Sequence, residues 1–155
     1  MSRARWTVGV ALIAAVLAAV LVAGTSGAAV TKLRAPLRGS DTTDTDGRGR
    51  AIVKLDPRAR TVCFNVGWRN LDDQPFAAHI HVGGAGVDGP ILVHFFDAAS
   101  PEAAIPAQIA GVRGCAEEVP RADIRAIKNN PRGYYVNVHT ESFPGGAIRG
   151  QLRKV

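Results

Sequence analysis

The feature that most constrains the fold is a two-residue rhythm in short apolar runs broken by Gly, Pro, Asp and Asn. In Thr61 to Trp68, Val62, Phe64, Val66 and Trp68 alternate with Cys63, Asn65 and Gly67. That period marks a strand buried on one face. Ala51 to Leu55 reads as the strand before it, joined through the turn Asp56-Pro57-Arg58. His79 to Val82 follows, then the turn GGAGVDGP and the run Ile91 to Phe96, whose two apolar faces suit a central strand. Asp97 to Gly111 is a loop rich in Ala and Pro, and Val112 to Glu117 is a further strand. The turn SFPGG joins two closing strands, Tyr134 to Thr140 and Ala147 to Arg153. Helical signals occur once, in PRADIRAIKNNP: Pro120 suits a first turn, Ile124 and Ile127 share a face, and Asn130-Pro131 stops it. Short strands at regular spacing with one short helix predict an all-β, antiparallel Greek-key sandwich or barrel.

The N-terminal segment has a different character. Arg3 and Arg5 precede an apolar run from Val8 to Ala23, and small residues follow from Gly24 to Ala29. This is the pattern of a secretory signal peptide cleaved near Ala28 or Ala29. An uncleaved membrane anchor is the alternative, although a spanning helix needs about 20 apolar residues. Residues 1–29 are therefore read as signal peptide or anchor, and residues 30–155 as one exported β domain. The positive start keeps the N-terminus inside and sends the remainder to the cell envelope or the medium.

The full chain of 155 residues has 19 Lys+Arg against 13 Asp+Glu. Without Arg3 and Arg5 the balance is 17 against 13, or +4. Along the chain these cations look scattered, as in Arg58 and Arg60, Arg121 and Arg125, or Arg149 and Arg153. No basic stripe is interleaved with aromatics, which argues against a nucleic-acid partner. Cys63 and Cys115 are the two cysteines, and in an exported chain they read as one disulfide. A thiolate metal ligand or redox thiol is the alternative. Asp44, Asp46 and Gly47 imitate part of a calcium loop, but the rest of that motif is missing, and Asp-Gly before a strand fits a hairpin turn better. The glycine-rich turn after Val82 lacks the Lys-Ser/Thr pair of a phosphate loop. There is no G-x-S-x-G elbow and no carboxylate pairing that suggests glycosidase chemistry.

Chemistry concentrates in the histidines. His79 and His81 are two apart in a strand, so their rings share a face, opposite Ala78, Ile80 and Val82. His139 shares a face with Tyr135 and Asn137, opposite Tyr134, Val136 and Val138. If the two strands are neighbours, three imidazoles converge outside the core. A three-histidine set with an open position suits Cu(II) or Zn(II), and Asn137 is placed to orient a ring. The loops 83–90 and 97–111 are candidates to cover it. Hydrogen-bonded histidines on a polar outer face are the competing reading. His94, among Ile91, Leu92, Val93, Phe95 and Phe96, reads as a partly buried residue with one hydrogen bond and is left out of the ligand set.

AAHIHVGGAGVDGPILV, followed by NPRGYYVNVHTESFPGGAIRGQL, resembles the CHRD domain, the module named after chordin and also found in exported microbial proteins. The resemblance extends to DGRGRAIVKLDPRARTVCFNV and to Gly114-Cys115, over roughly residues 31 to 153. It implies an extracytoplasmic β-sandwich-like domain, without a settled activity. A looser likeness is to copper–zinc superoxide dismutase, which also has an H-x-H strand, a late histidine, a Gly-Gly turn and a disulfide. By position it implies copper ligation by His79, His81 and His139. The chain departs from that family in lacking a bridging histidine and a zinc loop, and in the placing of Arg149. The expected architecture is thus superoxide-dismutase-like or immunoglobulin-like.

The expected function is an extracytoplasmic binding module that holds copper or zinc on three histidines. The alternative is a metal-free structural or protein-interaction domain of the cell envelope, with a protein or envelope partner and membrane contact only through an uncleaved N-terminal segment. An oxidoreductase resembling superoxide dismutase ranks third.

Overall fold

A computed structural model describes residues 29–40, 42–98, 105–106 and 109–155. The signal or anchor reading of residues 1–29 falls almost wholly outside them. Nine antiparallel strands form one continuous sheet: β1 (Thr31–Arg38), β2 (Arg48–Asp56), β3 (Thr61–Arg69), β4 (Pro75–Val82), β5 (Ile91–Asp97), β6 (Gly111–Ala116), β7 (Tyr134–Thr140), β8 (Ile148–Gln151) and β9 (Arg153–Lys154). Among the described residues one α-helix, α1 (Arg121–Asn129), lies between β6 and β7, followed by a 3₁₀ turn over Pro131–Gly133. No helix among the described residues is long and apolar enough to cross a membrane.

The strand order is β5-β4-β7-β8-β1-β2-β3-β6, with β9 also paired to β1. The sheet curls until its two edges approach, a nearly closed barrel. No ladder joins β5 to β6. Instead Phe95 of β5 stacks on Phe64 of β3, with ring centroids 4.4 Å apart, and Phe96 meets Trp68 at 6.3 Å. Alternation supplies the interior: Leu33, Ala35 and Leu37 of β1, Val53 and Leu55 of β2, and Ile80, Val136 and Val138 are fully buried. Ile124 and Ile127 of α1 join the same cluster, as their spacing predicts.

One sequence expectation changes, one strand is new, and the hairpin turn expected at Asp46-Gly47 joins β1 to β2. β1 carries no early signal, because Pro36 interrupts its run, yet it lies in the middle of the sheet. Pro36 pairs with Arg50 of β2, while on its other side β1 is paired only at Arg38 and at Leu33 and Arg34, so the proline falls in a gap between β8 and β9. β5 is an edge strand rather than a central one. Its second apolar set, Leu92 and Phe96, packs along the rim of the core, which accounts for the uninterrupted run. Asp44 is fully buried, and its carboxylate accepts the backbone N–H groups of Gly47 (2.7 Å) and Asp72 (2.9 Å), fastening two loops together.

The disulfide is formed. Cys63 of β3 and Cys115 of β6 are direct cross-strand partners, with Cα atoms 3.9 Å apart. It holds the edge strand β6 to the sheet, and it is a bond that oxidising environments favour.

Candidate metal centre

β4 and β7 are neighbours, and their register sets His79 opposite Asn137, His81 opposite Tyr135, and Ala77 opposite His139. All of these stand on the outer face of the sheet, away from Ile80, Val136 and Val138. They are nonetheless buried: His79 is 4 % exposed, His81 7 % and His139 6 %. Two loops roof them. Residues 83–90 bring the Gly89 carbonyl 2.9 Å from His81 Nδ1, and residues 141–147 bring the Pro144 carbonyl 2.9 Å from His139 Nδ1. The first loop was foreseen as a cover; the second was not. Residues 97–111, the other expected cover, are described only in part.

The roof depends on local chain chemistry. Gly146 has a φ of +130°, and a Cβ there would collide with the Asn137 side chain. Asn137 Nδ2 donates to the Gly145 carbonyl at 2.9 Å, so this residue fixes the turn that holds His139. The sequence reading gave Asn137 the task of orienting a ring; it contacts the turn and leaves its Oδ1 without a hydrogen-bond partner. Tyr135 stacks on His81 with centroids 5.0 Å apart, Arg149 lies over the Tyr135 ring, and Arg149 also pairs with Asp88 of the first loop.

Each imidazole has one nitrogen assigned by an acceptor. Asp97 Oδ1 lies 2.7 Å from His79 Nε2, and the two carbonyls take the Nδ1 protons of His81 and His139. In the neutral rings the remaining nitrogens are therefore lone pairs. These are His79 Nδ1, His81 Nε2 and His139 Nε2, and they point at one another. His79 Nδ1 lies 3.2 Å from His139 Nε2, and His81 Nε2 lies 3.3 Å from the same atom. Burial favours neutrality: it pushes His79 below its ordinary value, and it pushes His139 down to about 4. Three facing lone pairs with no proton between them repel unless a cation enters.

Asp97 is the residue that sequence reasoning missed. A register shift in the β4–β5 ladder between Ala78 and His79 lets both His94 and Asp97 reach the His79 ring. Asp97 Oδ2 also lies 2.7 Å from His94 Nδ1. Burial raises the Asp97 carboxyl, but the two imidazole contacts outweigh it and hold the group below its ordinary value. His94 makes its one hydrogen bond as expected, but its side chain is 63 % exposed rather than partly buried. Its ring stands nearly perpendicular to that of His79, with centroids 4.7 Å apart, and does not join the three facing nitrogens.

The family model of the CHRD domain matches residues 33–152, from β1 to the residue between β8 and β9. No curated protein and no solved structure matches the chain.

Proposed function

The chain belongs to the CHRD domain family, and we propose that it is an extracytoplasmic binding module holding one copper or zinc ion on His79, His81 and His139. The observation that carries this reading is the convergence of three lone pairs whose tautomers are set from behind by a carboxylate and two backbone carbonyls. Ligating histidines are oriented in this way, with the non-ligating N–H donated to a carboxylate or carbonyl. A metal about 2.05 Å from each nitrogen in tetrahedral geometry would hold the nitrogens about 3.3 Å apart. The two nitrogen–nitrogen separations at the site, 3.2 and 3.3 Å, suit that edge. Neutral nitrogen donors with no thiolate among them favour Cu(II) or Zn(II), copper binding more tightly. Bound, the ion would supply a Lewis acid or, for copper, a one-electron couple. The chain's own groups hold the rings, exclude water beneath two loops, and keep an acidic side chain behind His79.

The leader-like N-terminal segment and the disulfide support an address in the envelope or outside the cell. Membrane contact runs only through that segment where it is retained. The superoxide-dismutase reading has less support, because His94 gives its Nδ1 to Asp97 and stays outside the cluster. Calorimetric titration of the chelator-stripped protein with Cu(II) and Zn(II) tests the proposal. One equivalent should bind, and His79→Ala and His139→Ala should each abolish it. Absence of binding in the unaltered protein returns the domain to a metal-free structural or interaction role in the envelope. Superoxide consumption by copper-loaded protein would instead place it among the oxidoreductases.

A further inference from the structure

Cations that look scattered along the chain gather on one surface. On the outer face of β1, β2, β3, β6 and β9, Lys32 stands opposite Lys54, and Arg34 stands opposite Arg153. Arg38, Arg48 and Arg69 form one row across β1, β2 and β3. Arg50 and Arg113 complete the field. All are exposed except Arg48, which is half-buried. Like charges directly opposite in a sheet destabilise it, and here the arrangement recurs in three places. Arg48 Nη1 donates to the Thr45 and Gly47 carbonyls at 2.9 and 2.7 Å, but no carboxylate on the face offsets the charge. Asp56, at the end of β2, is the one carboxylate on these outward positions, and it accepts the N–H groups of Arg58 and Ala59 in its own turn. Among the described residues no ion pair involves any of these cations. Arg48, Arg50, Asn65, Gly67 and Arg69 line a groove of about 440 Å³ across the row.

We propose that this cationic face binds a linear anionic polysaccharide outside the cell, with the arginine row and groove as its track. Seven of the nine cations are arginines, whose planar forks grip sulfate or carboxylate oxygens in pairs. Successive outward residues on a strand lie about 6.7 Å apart and adjacent strands about 4.8 Å apart, a grid that meets a polymer with repeated charges and exceeds what one small anion needs. The face lacks the parts that other polyanions use. Trp68, the one aromatic lining the groove, is only 9 % exposed, so little ring surface is presented for bases to stack on. None of the exposed large apolar residues belongs to these outward positions, so nothing there enters a bilayer.

The test uses the whole protein and is independent of metal binding. Dextran sulfate and polygalacturonate are titrated against it, with neutral dextran as the control. Binding should occur to both polyanions and weaken at least tenfold between about 50 mM and about 500 mM salt. The triple variant Arg48→Ala/Arg50→Ala/Arg69→Ala should lose at least tenfold in affinity with its unfolding midpoint kept. The triple variant Arg58→Ala/Arg125→Ala/Lys128→Ala, equal in charge but off the face, should lose little. Equal losses in the two variants would overturn the assignment to this face. Binding of neutral dextran, or tighter binding to duplex DNA or to phosphatidylglycerol vesicles than to either polysaccharide, would overturn the choice of partner.

Discussion

Asp97 reaches over the edge of the sheet to the back of His79 and holds that ring with its Nδ1 lone pair forward. Asp97→Asn should therefore weaken copper or zinc affinity about 10–100-fold while leaving the circular dichroism spectrum unchanged, because the residue lies outside the apolar interior. His139 gives a second expectation at this scale. Its value in the fold is about 4, against the ordinary 6.5 that the unfolded chain recovers. Between those two pH values the unfolded chain takes up a proton that the folded protein refuses, so acid favours unfolding. Stability of the metal-free protein should be fully present above pH 6.5 and fall as pH drops toward 4, by at most about 3 kcal/mol from this ring. Urea midpoints measured across that range should show the slope, and His139→Ala should reduce it. The three histidines themselves were readable in the sequence, since strand alternation puts His79 and His81 on one face. Asp97 was not, because only a shift in the β4–β5 ladder brings it to the ring.

At the scale of elements, the Gly145-Gly146 turn couples the C-terminal hairpin to the site. Gly146→Ala forces a side chain into a left-handed conformation and against Asn137. It should cost about 1–3 kcal/mol and lower metal affinity through the displaced Pro144 carbonyl, as paired denaturation and calorimetry would show. The Cys63–Cys115 bond closes a separation of 52 residues, and the chain-entropy argument assigns it about 4 kcal/mol. Cys63→Ala/Cys115→Ala should lower the unfolding free energy by up to that amount and loosen β6, seen as faster amide exchange over Gly111–Ala116. Tyr134 to Thr140 and the helix were legible at nearly their observed bounds, since each has clean periodicity between turn residues. β1 escaped notice because its proline sits in a gap that only the folded β8–β9 break creates. β5 read as central because the rim of a curled sheet buries more than an open edge would.

For the whole molecule, metal should act as a stabiliser. A ligand present at 100 times its Kd adds about 2.7 kcal/mol to folding, which for a domain of this size raises the unfolding temperature by about 10 °C. Calorimetric scans with and without Zn(II) should show that rise, and His81→Ala should remove it. The composition showed the charge surplus but not the gathering of cations, since residues from five strands meet only when the sheet is wound. That gathering also governs how copies of the protein treat each other. Two molecules approaching through this face would meet arginine with arginine, so dilute buffer keeps them apart, and added salt or a multivalent counterion removes the colloidal barrier and lets them crowd together.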